Sequence, residues 1–207
     1  AAGDRGLSRD KLIAYLWPES SGENARHALE QLLYSMRRQL PTDAVQGPDP
    51  LRLDPTVLTS DVDEFGRALG CGALADAVAV YRGPFLDGFH LGDAAAFDEW
   101  VDGERSRLAN EHAVALYRLA KEAGGLEQHT LAIDWWRRLA AVDRLSERTA
   151  LGLARALASA GNWAGALQHA QDYEALVREE LAVPPTADLA AFIEKLRAEH
   201  SRNPEPA

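Results

Sequence analysis

The sequence has almost nothing with which to brace itself covalently. It holds one cysteine, Cys71, which excludes a disulfide framework and a cysteine-based metal site and fits a reducing cytosol. No apolar run approaches the roughly 18 residues of a membrane span, and there is no signal-peptide pattern. β-Branched residues are few while Ala and Leu dominate, so the expected fold is mainly α. The missing initial methionine suggests an excised fragment. Catalytic signatures are missing as well. The histidines (His27, His90, His112, His129, His169 and His200) show no HxxxH or HExxH spacing. There is no glycine-rich phosphate loop and no nucleophile elbow, and the many carboxylates form no specific catalytic pair. An enzyme therefore has no motif behind it, and no metal or cofactor is expected.

Positive charge is also in short supply. The net charge is −10, which argues against broad, non-specific nucleic-acid binding. The deficit is uneven. Residues 1–60 hold seven Lys/Arg against eight Asp/Glu, a net of −1, while the rest holds fifteen against twenty-four, a net of −9. Contact with phosphate is thus expected only from a local patch in the N-terminal part, and the acidic remainder suits protein contacts better.

What is present in that N-terminal part is an amphipathic stretch, Glu23 to Leu40. Ala25, Leu29, Leu32, Leu33, Met36 and Leu40 recur at three- and four-residue spacing, which places them on one side of a helix. The opposite side carries His27, Gln31, Tyr34 and Arg38, with Arg26, Glu30 and Arg37 on its flank. Such side chains can reach base edges and phosphates. Taken alone, a face like this is more often simply solvated, and Arg26 and Glu30 stand at the spacing of a local ion pair. The neighbours shift the balance. Ser8 is placed to cap a helix over 9–16 with Leu12, Ile13 and Leu16 inward, ended by Trp17 and Pro18. Helix, short connector, longer helix is the helix-turn-helix order. Val45, Leu51 to Leu53, and Val57 with Leu58 then alternate with turn residues, as a small hairpin does, where a wing would sit. Its tip carries Asp49, a poor phosphate contact, and Arg52 is its one base.

From Asp61 onward the pattern is helical to the end, with helices expected near 62–70, 73–82, 94–102, 104–123, 128–141, 146–160, 163–180 and 187–199. Thr186, after Pro184 and Pro185, marks the last start. An internal repeat runs through this part. Ala132, Ile133 and Trp136 recur as Ala166, Leu167 and Ala170 at an offset of 34, and Leu139 is matched by Tyr173. AKEAG (120–124) recurs as LASAG (157–161) at an offset of 37, which implies a turn three residues longer in the first unit. A 34-residue helix-turn-helix unit with Gly at the turn is the tetratricopeptide signature. Trp135, Trp136 and Trp163 are expected in the core, and Arg137 with Arg138 on a solvated face.

These residues resemble a known family. LSRDKLIAYLWPESSGENARHALEQLLYSMRRQL is similar to the second half of an OmpR-type winged helix as found in SARP-like bacterial transcriptional activators. DVDEF (61–65), YRGPFLDGF (81–89), EWVDGERSRL (99–108) and residues 156–189 resemble the bacterial transcriptional activator domain that follows it there. Two departures stand out. The family's D-P-x-x-E between repeats is here Asp143 to Glu147 without the proline, and its opening strands and first helix have no counterpart in this sequence. Two helices and a hairpin bury little alone, so the DNA-binding part is expected to be incomplete or to lean on the repeats.

The resemblance implies a mainly α chain. Residues 1–60 would be a partial winged helix-turn-helix with a small β-hairpin, and 61–200 a tetratricopeptide-like α-helical repeat domain. Residues 201–207, with Pro204 and Pro206, would begin a linker or tail. It further implies a cytoplasmic DNA-binding transcriptional activator. Its helix 23–40 would read the major groove of double-stranded promoter DNA with His27, Gln31, Tyr34 and Arg38, while Arg26, Arg37 and Arg52 hold phosphates. The repeats would contact proteins such as RNA polymerase or a second copy as a homodimer, with no membrane involved. The alternative is a tetratricopeptide-type interaction scaffold without DNA binding in this fragment.

Overall fold

A computed structural model of the protein describes residues 6–40, 44–184 and 186–202, the last three by backbone alone. The expected tail at 201–207 lies almost wholly outside the described residues, as do the polar start at 1–5, Pro41 and Pro185. The chain is mainly α, as its composition requires. Its elements are α1 (Arg9–Leu16), α2 (Gly22–Gln39), β1 (Val45–Gln46), β2 (Arg52–Leu53), α3 (Asp61–Gly70), α4 (Leu74–Val80), α5 (Ala95–Gly125), α6 (His129–Val142), α7 (Glu147–Ser159), α8 (Trp163–Leu181) and α9 (Ala187–Arg202). No helix among the described residues is long and apolar enough to cross a membrane. By compactness the chain forms two units, Ala1–His112 and Ala113–Ala207, and the division falls inside α5.

In the first unit the Ser8 hydroxyl accepts from the Lys11 amide and caps α1. Leu29 and Leu33 of α2 meet Val45 and Leu51 of the hairpin, and Leu12, Ile13, Trp17 and Met36 close around them. The hairpin pairs Val45 with Leu53 and Gln46 with Arg52. Leu7 extends it through two 2.9 Å bonds with Leu51, a partner that no local pattern announces. Val57 and Leu58, expected in the hairpin, lie instead in a turn. The Asp54 carboxylate accepts from the Thr56 amide at 2.8 Å and its hydroxyl at 2.6 Å, while the Asp54 carbonyl accepts from the Val57 and Leu58 amides. That Asx turn, with Pro55 fixing φ, curls the chain out of the sheet. Leu12, Ile13 and Leu16 are half-buried rather than buried, and Leu32 is 40% exposed. All but Ile13 border an open cleft of about 790 Å³ that also reaches Phe65 and Leu108 and has charged residues such as Arg67 and Glu111 on its walls.

α3 starts at a reciprocal cap: Ser60 accepts from the Asp63 amide at 3.1 Å and donates to its carboxylate at 2.8 Å. Phe65, Ala77 and Leu108 form the next core cluster, with Tyr81 and Phe85 against it. The 82–89 loop is pinned by Arg105, whose guanidinium donates to the carbonyls of Phe85 (2.8 Å) and Leu86 (2.6 Å). Two helices were expected over 94–102 and 104–123, but α5 is continuous through Gly103. A mid-helix glycine costs only about 1 kcal/mol. Here the Arg105–Asp102 and Arg107–Glu104 ion pairs, each at i,i+3, brace the turns beside it.

In the second unit α7 packs against both α6 and α8, and α9 packs mainly against α8. The repeat positions Ala132, Ile133, Trp136 and Leu139 are buried, as are Ala166, Ala170 and Tyr173, while Leu167 is half-buried. Caps sit where the sequence has short polar residues: Ser146 for α7, Asn162 for α8 and Thr186 for α9. Ser146 caps α7 without the family's proline. Trp135 and Trp163 are half-buried rather than in the core, and the Arg138 guanidinium lies 4.8 Å from the Trp135 ring.

The longer first turn is also corrected. α5 runs through Gly124 to Gly125, and the left-handed residue that follows is Glu127 (φ 57°). Its counterpart is Gly161 (φ 81°), an offset of 34. The bonds agree: Gln128 N–H donates to Ala123 and Glu127 N–H to Gly124, as Asn162 does to Leu157 and Gly161 to Ala158. The two turns are therefore equal in length. The AKEAG alignment slipped because glycine had moved off the position that needs it.

Candidate nucleic-acid interface

α2 presents its polar face because Ala25, Leu29 and Leu33 on the other side are committed to the core. His27, Gln31, Tyr34 and Arg38 are all exposed and form one stripe about 16 Å long. Within it the side chains are already paired lengthwise. The Gln31 amide donates to the His27 ring nitrogen at 3.0 Å, and the Arg38 guanidinium lies 5.9 Å from the Tyr34 ring centre. Tyr34 is 64% exposed, a large uncovered ring for a residue with no core role. Arg26 and Arg37 are exposed on the flank. No ion pair joins Arg26 to Glu30 among the described residues, so Arg26 is left with its charge uncommitted. Arg37 and Arg38 also occupy the last turn, where cations offset the helix dipole.

Arg52 stands exposed on β2, apart from the α2 stripe in sequence and bracketed by carboxylates. Asp54 is held ionised below the usual carboxylate range by the Thr56 hydroxyl and amide, and it accepts from Gln46 at 2.5 Å. Asp49 at the hairpin tip is engaged too. It accepts from the Arg9 amide at 3.1 Å, while Arg9 Nε donates to the Pro48 carbonyl at 2.6 Å. This tie makes Arg9 the cation nearest the tip, a place its sequence position did not reveal. The free amide at the start of α1 beside an acidic turn was the one available signal. Among the described residues no cluster of His, Cys, Asp or Glu could hold a metal ion.

A family model described as the bacterial transcriptional activator domain matches residues 63–197, well over half of the chain. The chain belongs to that family. The activator-domain helices thus begin with α3, and the seven candidate DNA-facing residues precede the matched span. The chain is also similar to the solved structure of Mycobacterium tuberculosis EmbR in complex with low affinity phosphopeptide, with a TM-score of 0.67 and 20% identity. The match covers 95% of this chain and 56% of that one, so the activator-domain chain spans little more than half the length of EmbR there. At that identity the likeness is one of fold. A comparison with curated proteins finds none that matches. The family is one of transcriptional regulators rather than an enzyme class.

Proposed function

We propose that the chain is the DNA-reading and partner-binding portion of a bacterial transcriptional activator acting in the cytoplasm. Residues 1–60 would be part of a winged helix-turn-helix, 61–200 a tetratricopeptide-like repeat domain, and 201–207 the start of a linker. A B-DNA major groove, about 12 Å wide, admits an α-helix. α2 would lie there with His27, Gln31, Tyr34 and Arg38 nearest the bases, and Arg26, Arg37 and Arg52 on phosphates. The repeats would contact RNA polymerase or a second copy of the chain. The observation that carries the reading is the exposed α2 stripe, set between a short capped helix and a hairpin and followed by the activator domain.

Gel-shift titration of the intact gene product against its own promoter region tests this. Gln31→Ala with Arg38→Ala should weaken operator binding by roughly 1–3 kcal/mol for each base interaction removed and relax sequence preference. Unchanged affinity and preference would remove α2 as the reader. The second reading, a protein-binding scaffold without DNA binding, is favoured by the −9 net charge of residues 61–207. Binding that is absent at low salt for every promoter fragment would select it.

A further inference from the structure

An arginine fork offers a base nothing but donors, whereas a glutamine amide carries an acceptor oxygen beside a nitrogen with two N–H donors. Which base Gln31 can read therefore depends on how its amide is turned. On α2 that orientation is set by the residue one turn earlier. Gln31 Nε2 lies 3.0 Å from Nε2 of His27, and both side chains are exposed on the stripe. The amide nitrogen can only donate, so the ring nitrogen accepts and the ring proton sits on Nδ1. One N–H is thus taken up, and the amide keeps its oxygen and a second N–H. An acceptor next to a donor complements adenine, which shows its N6 amino group and N7 in the major groove. Turned over, the amide would give its oxygen to His27 and keep donors alone, which suits guanine, whose O6 and N7 both accept. His27 and Gln31 also precede Tyr34 and Arg38 on α2, toward the end of a recognition helix that meets base edges.

We propose that His27 is a positioning residue that turns the Gln31 amide to read adenine in the major groove. This role rests on the reading of α2 as the DNA-contacting helix, and the two can fail separately. Gln46 and Gln168, by contrast, donate to the carboxylates of Asp54 and Asp172, groups that only accept when ionised. An imidazole nitrogen can take either role, so the group at position 27 decides which edge Gln31 shows. A side chain there that only accepts holds the adenine-reading edge outward. One that only donates draws the amide oxygen to itself and leaves donors facing the base.

The experiment selects bound duplexes from a pool randomised over about two helical turns, using the intact gene product, and reads the recovered motif by sequencing. Wild type is expected to fix one A·T pair whose preference falls by roughly fivefold or more in Gln31→Ala. His27→Glu, which can only accept, should keep that pair, while His27→Lys, which can only donate, should move the same position toward G·C. If His27 merely supported the helix, both variants would weaken all sequences and shift no base, which overturns the role. Two base analogues give a readout on wild-type protein that does not depend on a variant folding. In the selected duplex, 7-deazaadenine removes N7 and purine removes the 6-amino group, and each should weaken binding at that pair. Loss with only one of them, or a wild-type preference for G·C at the Gln31-dependent pair, overturns the adenine edge. A motif altered by Arg38→Ala but not by Gln31→Ala overturns it too, while leaving α2 as the reader. No motif from any pool at low salt would refute the wider reading and this role with it.

Discussion

Gly152 of α7 lies against the face of Trp136 on α6 so closely that a Cβ there would stand 2.5 Å from the ring. Elsewhere in a helix, replacing glycine by alanine adds about 1 kcal/mol of stability. At this position the sign should reverse. Trp136 is buried and cannot swing away, and overpacking of this kind costs roughly 1–3 kcal/mol. Gly152→Ala is expected to lower the melting temperature by a few degrees, at roughly 2–4 °C per kcal/mol for a chain of this size. Gly152→Ala with Trp136→Leu should no longer show the alanine penalty relative to Trp136→Leu alone. Calorimetry on the four proteins measures the coupling.

The matching turns at 34-residue offset give a prediction of opposite sign. Glu127 holds the left-handed position that Gly161 fills in the next repeat. A side chain there costs roughly 1–2 kcal/mol that glycine avoids. Glu127→Gly should therefore raise the melting temperature despite glycine's greater freedom in the unfolded chain, whereas Gly161→Ala should lower it. If Glu127→Gly destabilises, the strain at that turn is not what the backbone angle implies.

These two sites show where sequence was legible and where it was not. The 3.6-residue periodicity of Leu29 and Leu33 against Gln31 and Arg38 gave the buried and open faces of α2, because that signal is local. The cap at Ser8 and the helix start at Thr186 were readable for the same reason, whereas Ser60 and Ser146 emerged as caps only in the structure. What stayed hidden depends on partners distant in the chain. The Leu7–Leu51 pairing, the Arg9 tie to Asp49, and the ring contact that requires Gly152 cannot be read from any short window. Gly103 and Gly124 misled in the other direction, since glycine permits a break without demanding one. At the candidate interface the exposure of the seven side chains was legible, but the His27–Gln31 and Tyr34–Arg38 pairings depend on rotamers.

His169 offers a pH test. Burial holds its imidazole below the ordinary value, opposed by Asp172 and a hydrogen bond with the Ala150 backbone, with Arg137 adding to the depression. Its Nε2 is buried without a partner. A group whose pKa is lower folded than unfolded favours unfolding when protons are taken up. The His169 contribution is thus present above the unfolded value near about 6.5 and is lost as pH falls through the lower folded value. Chemical denaturation between pH 7.5 and 5 should show a fall in stability that His169→Gln reduces. An unchanged pH slope in that variant would assign the fall to other groups.

The roles proposed for α2 and β2 separate by salt. A cation that holds phosphate releases counterions, so log K falls with log salt by roughly 0.9 for each phosphate neutralised on duplex DNA. Arg37→Ala and Arg52→Ala are each expected to reduce that slope by about one and to weaken all sequences alike, whereas Gln31→Ala should leave the slope unchanged and narrow the gap between operator and random DNA. Arg52 is the more exacting case. It stands on the strand between Asp49 and Asp54, and Asp54 stays ionised through its bonds to Thr56. A slope that does not move in Arg52→Ala, while it moves in Arg37→Ala, would show that those carboxylates keep the hairpin off the backbone. α2 would then be left to bind from the groove with its flank alone.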